Sequence, residues 1–387
     1  MSILLFLLLP VAATCGWFLG RRLLDRQSPK LTHKIRRDYF KGLNYLINEQ
    51  PDKAVDVFIK LLEVDSDTVE THLALGTLFR RRGEVDRAIR VHQNLIARPQ
   101  LGKQHRLHAL SELGQDYLRA GVLDRAERLF LELVEMGEEN QSSLRFLLSI
   151  YQQEKDWSKA IEIAQKLQAL GESMHPIIAQ YYCELAEQMI DKDRTHQALT
   201  YLKRAQAIDH ACVRASLIRA RIESRGENYK ESIRSYKRVV AQDPDYISEI
   251  VSPLEKCYQK LNEEEKFVSY LEECLLKHPR ISLVLAISDY LQRQQGQKVA
   301  IEFIAKQIQQ QPSLRGLSHL VKLYLLNSAG DAQEKLLILQ NFMHKLLTDK
   351  PMYRCEHCGF SGRTLYWLCP SCHHWSTVKP IQGLEGM

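Results

Sequence analysis

The sequence predicts an all-α chain: stacked helical hairpins, preceded by one membrane-spanning helix and closed by a small metal-bound ribbon. Three observations carry that prediction. From about residue 35 a pattern of small and aromatic residues recurs at intervals near 34 residues. Near the end, two Cys-x-x-Cys pairs stand with ten residues between them. At the start, the first twenty residues contain no charged side chain.

Composition agrees with a helical reading. In 387 residues there are only 18 Gly and 12 Pro, while Leu, Ala, Glu, Gln, Arg and Lys are abundant. The net charge is +6. Residues 21–41 hold eight Lys or Arg against two Asp, which is the whole excess, and the remainder sums to neutral. A nucleic-acid binder is expected to spread its basic charge over a folded surface, so no nucleic-acid partner is expected here. Cys15, Cys183, Cys212, Cys257 and Cys274 are scattered and read as reduced thiols in a reducing compartment.

Ile3 to Gly20 form an uninterrupted uncharged run. As a helix it spans roughly 27 Å, close to the ~30 Å hydrocarbon core of a bilayer. Pro10 is tolerable in such a helix, and Trp17 lies near the expected interface. No basic residue precedes the run, and Arg21-Arg22 follow it. That order argues against a cleaved signal peptide and for an uncleaved anchor over residues 1–20. The positive-inside rule then places the bulk of the chain on the cytoplasmic side, with residues 21–34 as a basic neck at an anionic leaflet.

The repeats follow. Gly42-x-x-Tyr45, Gly76-x-x-Phe79 and Gly114-x-x-Tyr117 mark first helices. Ala54-x-x-x-Phe58, Ala88-x-x-x-His92 and Ala126-x-x-x-Phe130 mark second helices. The small residue returns at Ala160, Ala198, Ser232 and Ala300. Such a period, with a small residue and an aromatic at fixed offsets, matches the tetratricopeptide pattern. Gly or Ala lets antiparallel helices approach closely, and the aromatics fill the space between hairpins. Two intervals of 38 rather than 34 suggest longer loops near 99–104 and 171–176. After residue 245 the pattern weakens: Lys266 falls at the small-residue position. The array is expected over residues 35–348, as eight or nine hairpins forming a superhelix. Its first helices would line a groove, with Arg36, Arg80, Arg81, Arg119 and Arg145 as candidates to meet an acidic or C-terminal carboxylate ligand.

Residues 351–376 form the predicted metal module, with 377–387 as a tail. A Cys-x-x-Cys turn folds two sulfurs onto one ion, and two facing turns complete a tetrahedron. Cys355, Cys358, Cys369 and Cys372 are therefore the candidate ligands. A thioredoxin-like redox pair needs a βαβ setting that the flanking sequence is too short to supply. Tyr353, Phe360, Tyr366, Trp367 and Trp375 surround the cysteines. A unit this small needs metal and aromatics together to hold its shape. No activated nucleophile, acid–base pair or Gly-rich phosphate loop stands out, so the chain reads as a non-enzyme.

Anchor, basic neck, repeat array and four-cysteine module together resemble the lipopolysaccharide assembly protein B family, over essentially the whole chain. The segments Tyr353-x-Cys355-x-x-Cys358-Gly-Phe360 and Trp367-x-Cys369-Pro-x-Cys372 look like the two knuckles of rubredoxin. The loop between them is far shorter, and His373 stands where Gly usually follows the second pair. The resemblance implies iron in the site, while tetrahedral thiolate chemistry admits zinc equally. It also implies a regulatory adaptor in the inner membrane of a Gram-negative bacterium. Such an adaptor promotes turnover of the deacetylase that commits material to lipid A. It acts with a membrane-anchored AAA+ protease and gathers other lipopolysaccharide assembly proteins. The competing readings are a rubredoxin-like electron-transfer protein and a nucleic-acid-binding zinc ribbon, each on a repeat scaffold.

Overall fold

A computed structural model describes residues 40–45, 50, 53–54, 57–58, 69–137, 140–348 and 350–384. The predicted anchor, the basic neck and Arg36 lie outside these residues. Among the described residues no helix is long and apolar enough to cross a membrane.

Chain contacts divide the molecule into two units that meet in sequence at Lys155 and Asp156. The first holds α1 (Val69–Arg81), α2 (Val85–Ile96), α3 (Lys103–Arg119), α4 (Leu123–Glu135) and α5 (Asn140–Glu154). The second holds α6 (Trp157–Ala169), α7 (His175–Asp191), α8 (Thr195–Ile208), α9 (Val213–Arg225) and α10 (Tyr229–Gln242). A 3-10 turn at Pro244–Tyr246 leads into α11 (Ile247–Lys260) and α12 (Glu264–Lys277). Then come α13 (Ile281–Gln294), α14 (Gln297–Gln310), α15 (Leu314–Leu325) and α16 (Asp331–Thr348). Three short strands close the chain: β1 (Tyr353–Cys355), β2 (Ser361–Gly362) and β3 (Val378–Pro380).

The small residues do what the pattern requires. Ala54, Ala88, Ala126, Ala160, Ala198, Ser232 and Ala300 are all fully buried. At the paired positions the fit is closer still. A methyl group on Gly114 would lie 2.8 Å from the Phe130 ring, and one on Gly76 would lie 2.3 Å from His92. Glycine is needed at both because the facing ring occupies the space a Cβ would take.

Each tight turn between paired helices carries one residue in the left-handed region. Gly83 and Gly121 supply it in the first two pairs described. Lys155, Asp193, Glu227 and Asn262 supply it later, at φ between 55° and 61°. These side chains accept a conformation that costs roughly 1–2 kcal/mol outside Gly. Glycine therefore does not flag the turns at Lys155, Asp193 and Asn262 in the sequence, while at Glu227 a glycine stands one residue earlier.

Two expectations need correction. The four-residue excesses lie mainly in helices rather than loops: α3 and α7 are each 17 residues long, against 13 for α1 and α9. Four residues add about one turn of 3.6, so the buried face stays in register. The small-residue register also fails at Lys266, whose side chain is exposed. The buried position there is Phe267, which packs against Tyr258.

A buried polar network binds α1 and α2 to α3 in the first unit. His92 replaces the aromatic found at Phe58 and Phe130, and its Nδ1 lies 2.5 Å from Asp116 Oδ2. Arg80 donates to Asp116 Oδ1 and to Glu112 Oε2, both at 2.7 Å. Thr77 donates to the same Glu112 oxygen at 2.8 Å. Burial works against the Arg80 charge, but Asp116 and Glu112 outweigh it and raise its pKa.

Gly114→Ala should lower unfolding stability by about 1–3 kcal/mol, the usual cost of forcing a methyl group into a filled contact. Chemical denaturation of the folded protein measures it, and an unchanged midpoint would mean the Gly114–Phe130 contact is slack.

Candidate metal centre

The terminal ribbon starts as two matching turns. Gly359 N–H donates to Cys355 O at 2.9 Å, and His373 N–H donates to Cys369 O at 2.9 Å. Cys355 N–H donates to Phe360 O at 2.7 Å, and Cys369 N–H to His374 O at 3.0 Å. Each knuckle needs a left-handed residue after its second cysteine. Gly359 provides one at φ 79°, and His373 provides the other at φ 55°. Histidine at the usual glycine position has therefore not changed the turn.

The three strands form an antiparallel sheet in the order β2-β1-β3. Tyr353 pairs with Pro380 and Cys355 with Val378 across β1 and β3. The module thus does not stop at 376. The stretch expected to be a tail supplies the sheet's third strand, and the fully buried Val378 packs with Tyr353, Cys355 and Cys369. One short strand with no cysteine gives no sequence signal of its own.

Cys355, Cys358, Cys369 and Cys372 converge at the turns. Sγ of Cys355 is 3.8 Å from Sγ of Cys372, and Sγ of Cys358 is 3.7 Å from Sγ of Cys369. A metal–sulfur bond of ~2.3 Å in a tetrahedron sets sulfur–sulfur edges of roughly 3.8 Å. The sulfurs therefore fit one tetrahedral thiolate ion. Burial raises the Cys355 thiol, but Thr377 Oγ1 at 3.2 Å and the backbone N–H groups of Cys358 and His357 outweigh it. The result is a pKa lowered to about 6. Cys372 is raised to about 12, first by burial and then by crowding against the other three sulfurs. Four adjacent thiolates cannot all ionise without a cation, and a bound divalent ion would supply that charge.

The ribbon is seated on the repeats of the second unit. Trp375 meets Trp157 and Tyr181 edge-on, at 6.1 and 5.8 Å between ring centroids. Trp367 stacks on Tyr246 at 5.5 Å. The Arg214 guanidinium carbon lies 5.8 Å from the Trp367 ring and 6.0 Å from the Trp375 ring, within cation–π range of both. Arg214 is only 3% exposed and is held by Glu184 at 2.8 Å and Glu187 at 2.5 Å. Tyr353 Oη donates to Glu249 at 2.8 Å, and Gln180 Nε2 donates to Ser376 Oγ at 2.9 Å. Burial raises the Glu249 pKa, with the Tyr353 hydroxyl pulling it down. Lys379 pairs with Asp243 and Asp245 at 3.1 and 3.3 Å. Leu314 N–H donates to Leu384 O at 3.0 Å.

These contacts reach from α6 to α15, so the ribbon docks on the middle repeats as well as the last ones. Sequence reading missed Arg214, Gln180, Tyr181, Tyr246 and Glu249. Four of them lie in ordinary helical stretches and Tyr246 in the 3-10 turn, and only the aromatic density of 353–375 hinted at a docking face.

Four of the candidate groove arginines lie among the described residues. Arg80 is bound in the Glu112–Asp116 network. Arg119 and Arg145 are exposed. Arg81 is exposed and lines a cleft of about 370 Å³ in the first unit, with Leu73, Ala74, Leu78, His105 and His108 among its other walls. Cys183, Cys212, Cys257 and Cys274 are buried free thiols.

Fold and site together define a helical-repeat scaffold with a four-thiolate ribbon seated on it. The rubredoxin metal binding domain family matches residues 353–380. Tetratricopeptide repeat families match residues 71–104, 111–175 and 190–247. The chain is 41% identical over 387 residues, 99% of each chain, to Lipopolysaccharide assembly protein B of Escherichia coli strain K12. It is 35% identical over 395 residues, again 99% of each chain, to the protein of that name in Haemophilus influenzae. The chain belongs to the lipopolysaccharide assembly protein B family.

Two outcomes are expected. Lowering the pH from 8 to 5 should weaken metal binding, because the ion must displace the Cys372 proton throughout and the Cys355 proton as well below about 6. The slope of log affinity against pH should steepen near 6; a flat profile in a metal competition assay would contradict this thiolate order. Arg214→Ala should destabilise the second unit by about 2–4 kcal/mol, since it strands Glu184 and Glu187 and removes the cation between two indoles. Unfolding followed by tryptophan fluorescence reads both the loss and the released ribbon.

Proposed function

We propose that this protein is a non-enzymatic adaptor for lipopolysaccharide assembly, tethered to the inner membrane by residues 1–20 with its repeats on the cytoplasmic side. It brings the deacetylase of the committed lipid A step to a membrane-anchored AAA+ protease and coordinates other lipopolysaccharide assembly proteins. Family membership supports the pathway. The observation that carries the scaffold reading is the seated ribbon: its aromatic residues are spent on Trp157, Tyr181, Tyr246 and Arg214. A centre used that way holds a shape. Cys355, Cys358, Cys369 and Cys372 hold one iron or zinc ion, and the ion's contribution is to neutralise and fix the four sulfurs.

Partner contacts fall on surfaces the ribbon leaves open. In the first unit the Arg81 cleft has an apolar floor, with His105 and His108 at its rim. Glu70 also lines it, 3.9 Å from His105, so the charge of the cleft is mixed; it suits a segment that seats one apolar side chain and offers a carboxylate to Arg81. Arg119 and Arg145 are the other exposed candidates, with Arg36 ahead of them in the chain. Holding client and protease on one tether raises their effective concentration without any chemistry by the adaptor itself.

The test is client turnover in cells carrying Cys355→Ser/Cys358→Ser. The variant should lose its metal, and the deacetylase half-life should lengthen to that of cells lacking the adaptor. Normal turnover with a metal-free, stably expressed variant would overturn the reading.

A further inference from the structure

Beside the four-sulfur cluster lies a second group of metal-binding side chains. His357 and His374 are exposed, and their rings stack at 3.7 Å between centroids with 20° between planes. One ligand atom from each, together with Sγ of Cys372, falls in a group whose members all lie within 4.8 Å of one another. His374 Nδ1 lies 2.9 Å from Cys372 O and is placed to donate a proton to it. That bond fixes the tautomer and leaves Nε2 as the free lone pair, the arrangement in which a histidine usually ligates a metal. The two knuckles create the juxtaposition: His357 sits inside the first Cys-x-x-Cys turn, and His374 follows the second by two residues.

We propose that His357, His374 and Cys372 form a second, surface metal site, in which the Cys372 thiolate bridges the structural ion and a second zinc-class divalent ion. Bonds of about 2.0–2.3 Å place ligand atoms of a tetrahedral ion roughly 3.3–3.8 Å apart. Reaching those distances turns the two exposed imidazoles out of their stack, because the in-plane lone pairs of near-parallel rings do not converge on one ion. Three protein ligands leave the fourth position open, as in sites that take an exogenous ligand. Imidazole and thiolate together favour zinc, cobalt or copper over magnesium or calcium. The site rests on the reading that the four cysteines hold an ion, because Cys372 must already be a thiolate.

The experiment is anaerobic titration of metal-free full-length protein, purified in detergent, with Co²⁺. Wild type should take two equivalents. The first should give the intense absorption of an all-thiolate tetrahedron, and the second should bind at least tenfold more weakly and change that spectrum as nitrogen enters. His357→Ala/His374→Ala should keep the first spectrum unchanged and bind one equivalent fewer, while His105→Ala/His108→Ala should still take both. Saturation of wild type at one equivalent, or loss of no equivalent in the His357/His374 variant, overturns the second site alone. Failure of any form to give the all-thiolate spectrum overturns it together with the four-cysteine reading.

Discussion

A buried guanidinium holds this structure together. Arg214 lies on α9, nearly without solvent, between two carboxylates of α7 and two indoles of the ribbon. Isolated, that charge would be costly to bury. Burial alone would depress its pKa, and Glu187, Glu184 and their neighbours reverse the effect and raise it. The ion pairs come from the repeats and the ring faces from the ribbon, so the charge is fully accommodated only when both are in place. The ribbon has the complementary need. Its buried core is four residues, Tyr353, Cys355, Cys369 and Val378, too little to stand without metal and a surface to lean on. The site is therefore best described as one joint between metal, ribbon and repeats.

The first unit solves a different problem with similar means. Where one hairpin offers His92 instead of phenylalanine, α3 supplies Asp116 to meet it, and Asp116 in turn fixes Arg80. Removing one partner from such a set leaves the others buried and uncompensated. The network also sorts neighbouring arginines by role. Arg80 is consumed inside the repeat, while Arg81, one residue on, is exposed and lines the cleft with Glu70, His105 and His108.

Most of the architecture was legible because the repeat rests on sterics that leave a mark in the sequence. A ring over Gly76 or Gly114 permits no side chain, and the second-helix positions are fully buried and held by Ala or Ser. The four cysteines were legible for the same reason: a tetrahedron of fixed edge demands a fixed spacing. What escaped notice was whatever lacks a spacing rule. Arg214 looks like any helix-surface arginine until the ribbon folds back over it. Turns at Asp193 and Asn262 hide because residues other than glycine take the left-handed conformation. Val378 was assigned to a tail because a three-residue strand is indistinguishable from a loop by pattern. The groove arginines were chosen by register, and register does not show which of them a neighbouring helix has already neutralised.

Metal, ribbon and middle repeats form one cooperative body. Amide hydrogen exchange on the full-length protein, metal-loaded against anaerobically chelated, tests it most directly. Chelation should strip protection from residues 353–380 and, together with them, from the segments around Trp157, Tyr181, Arg214 and Tyr246. Loss of protection confined to the ribbon, with those repeat segments unchanged, would contradict it.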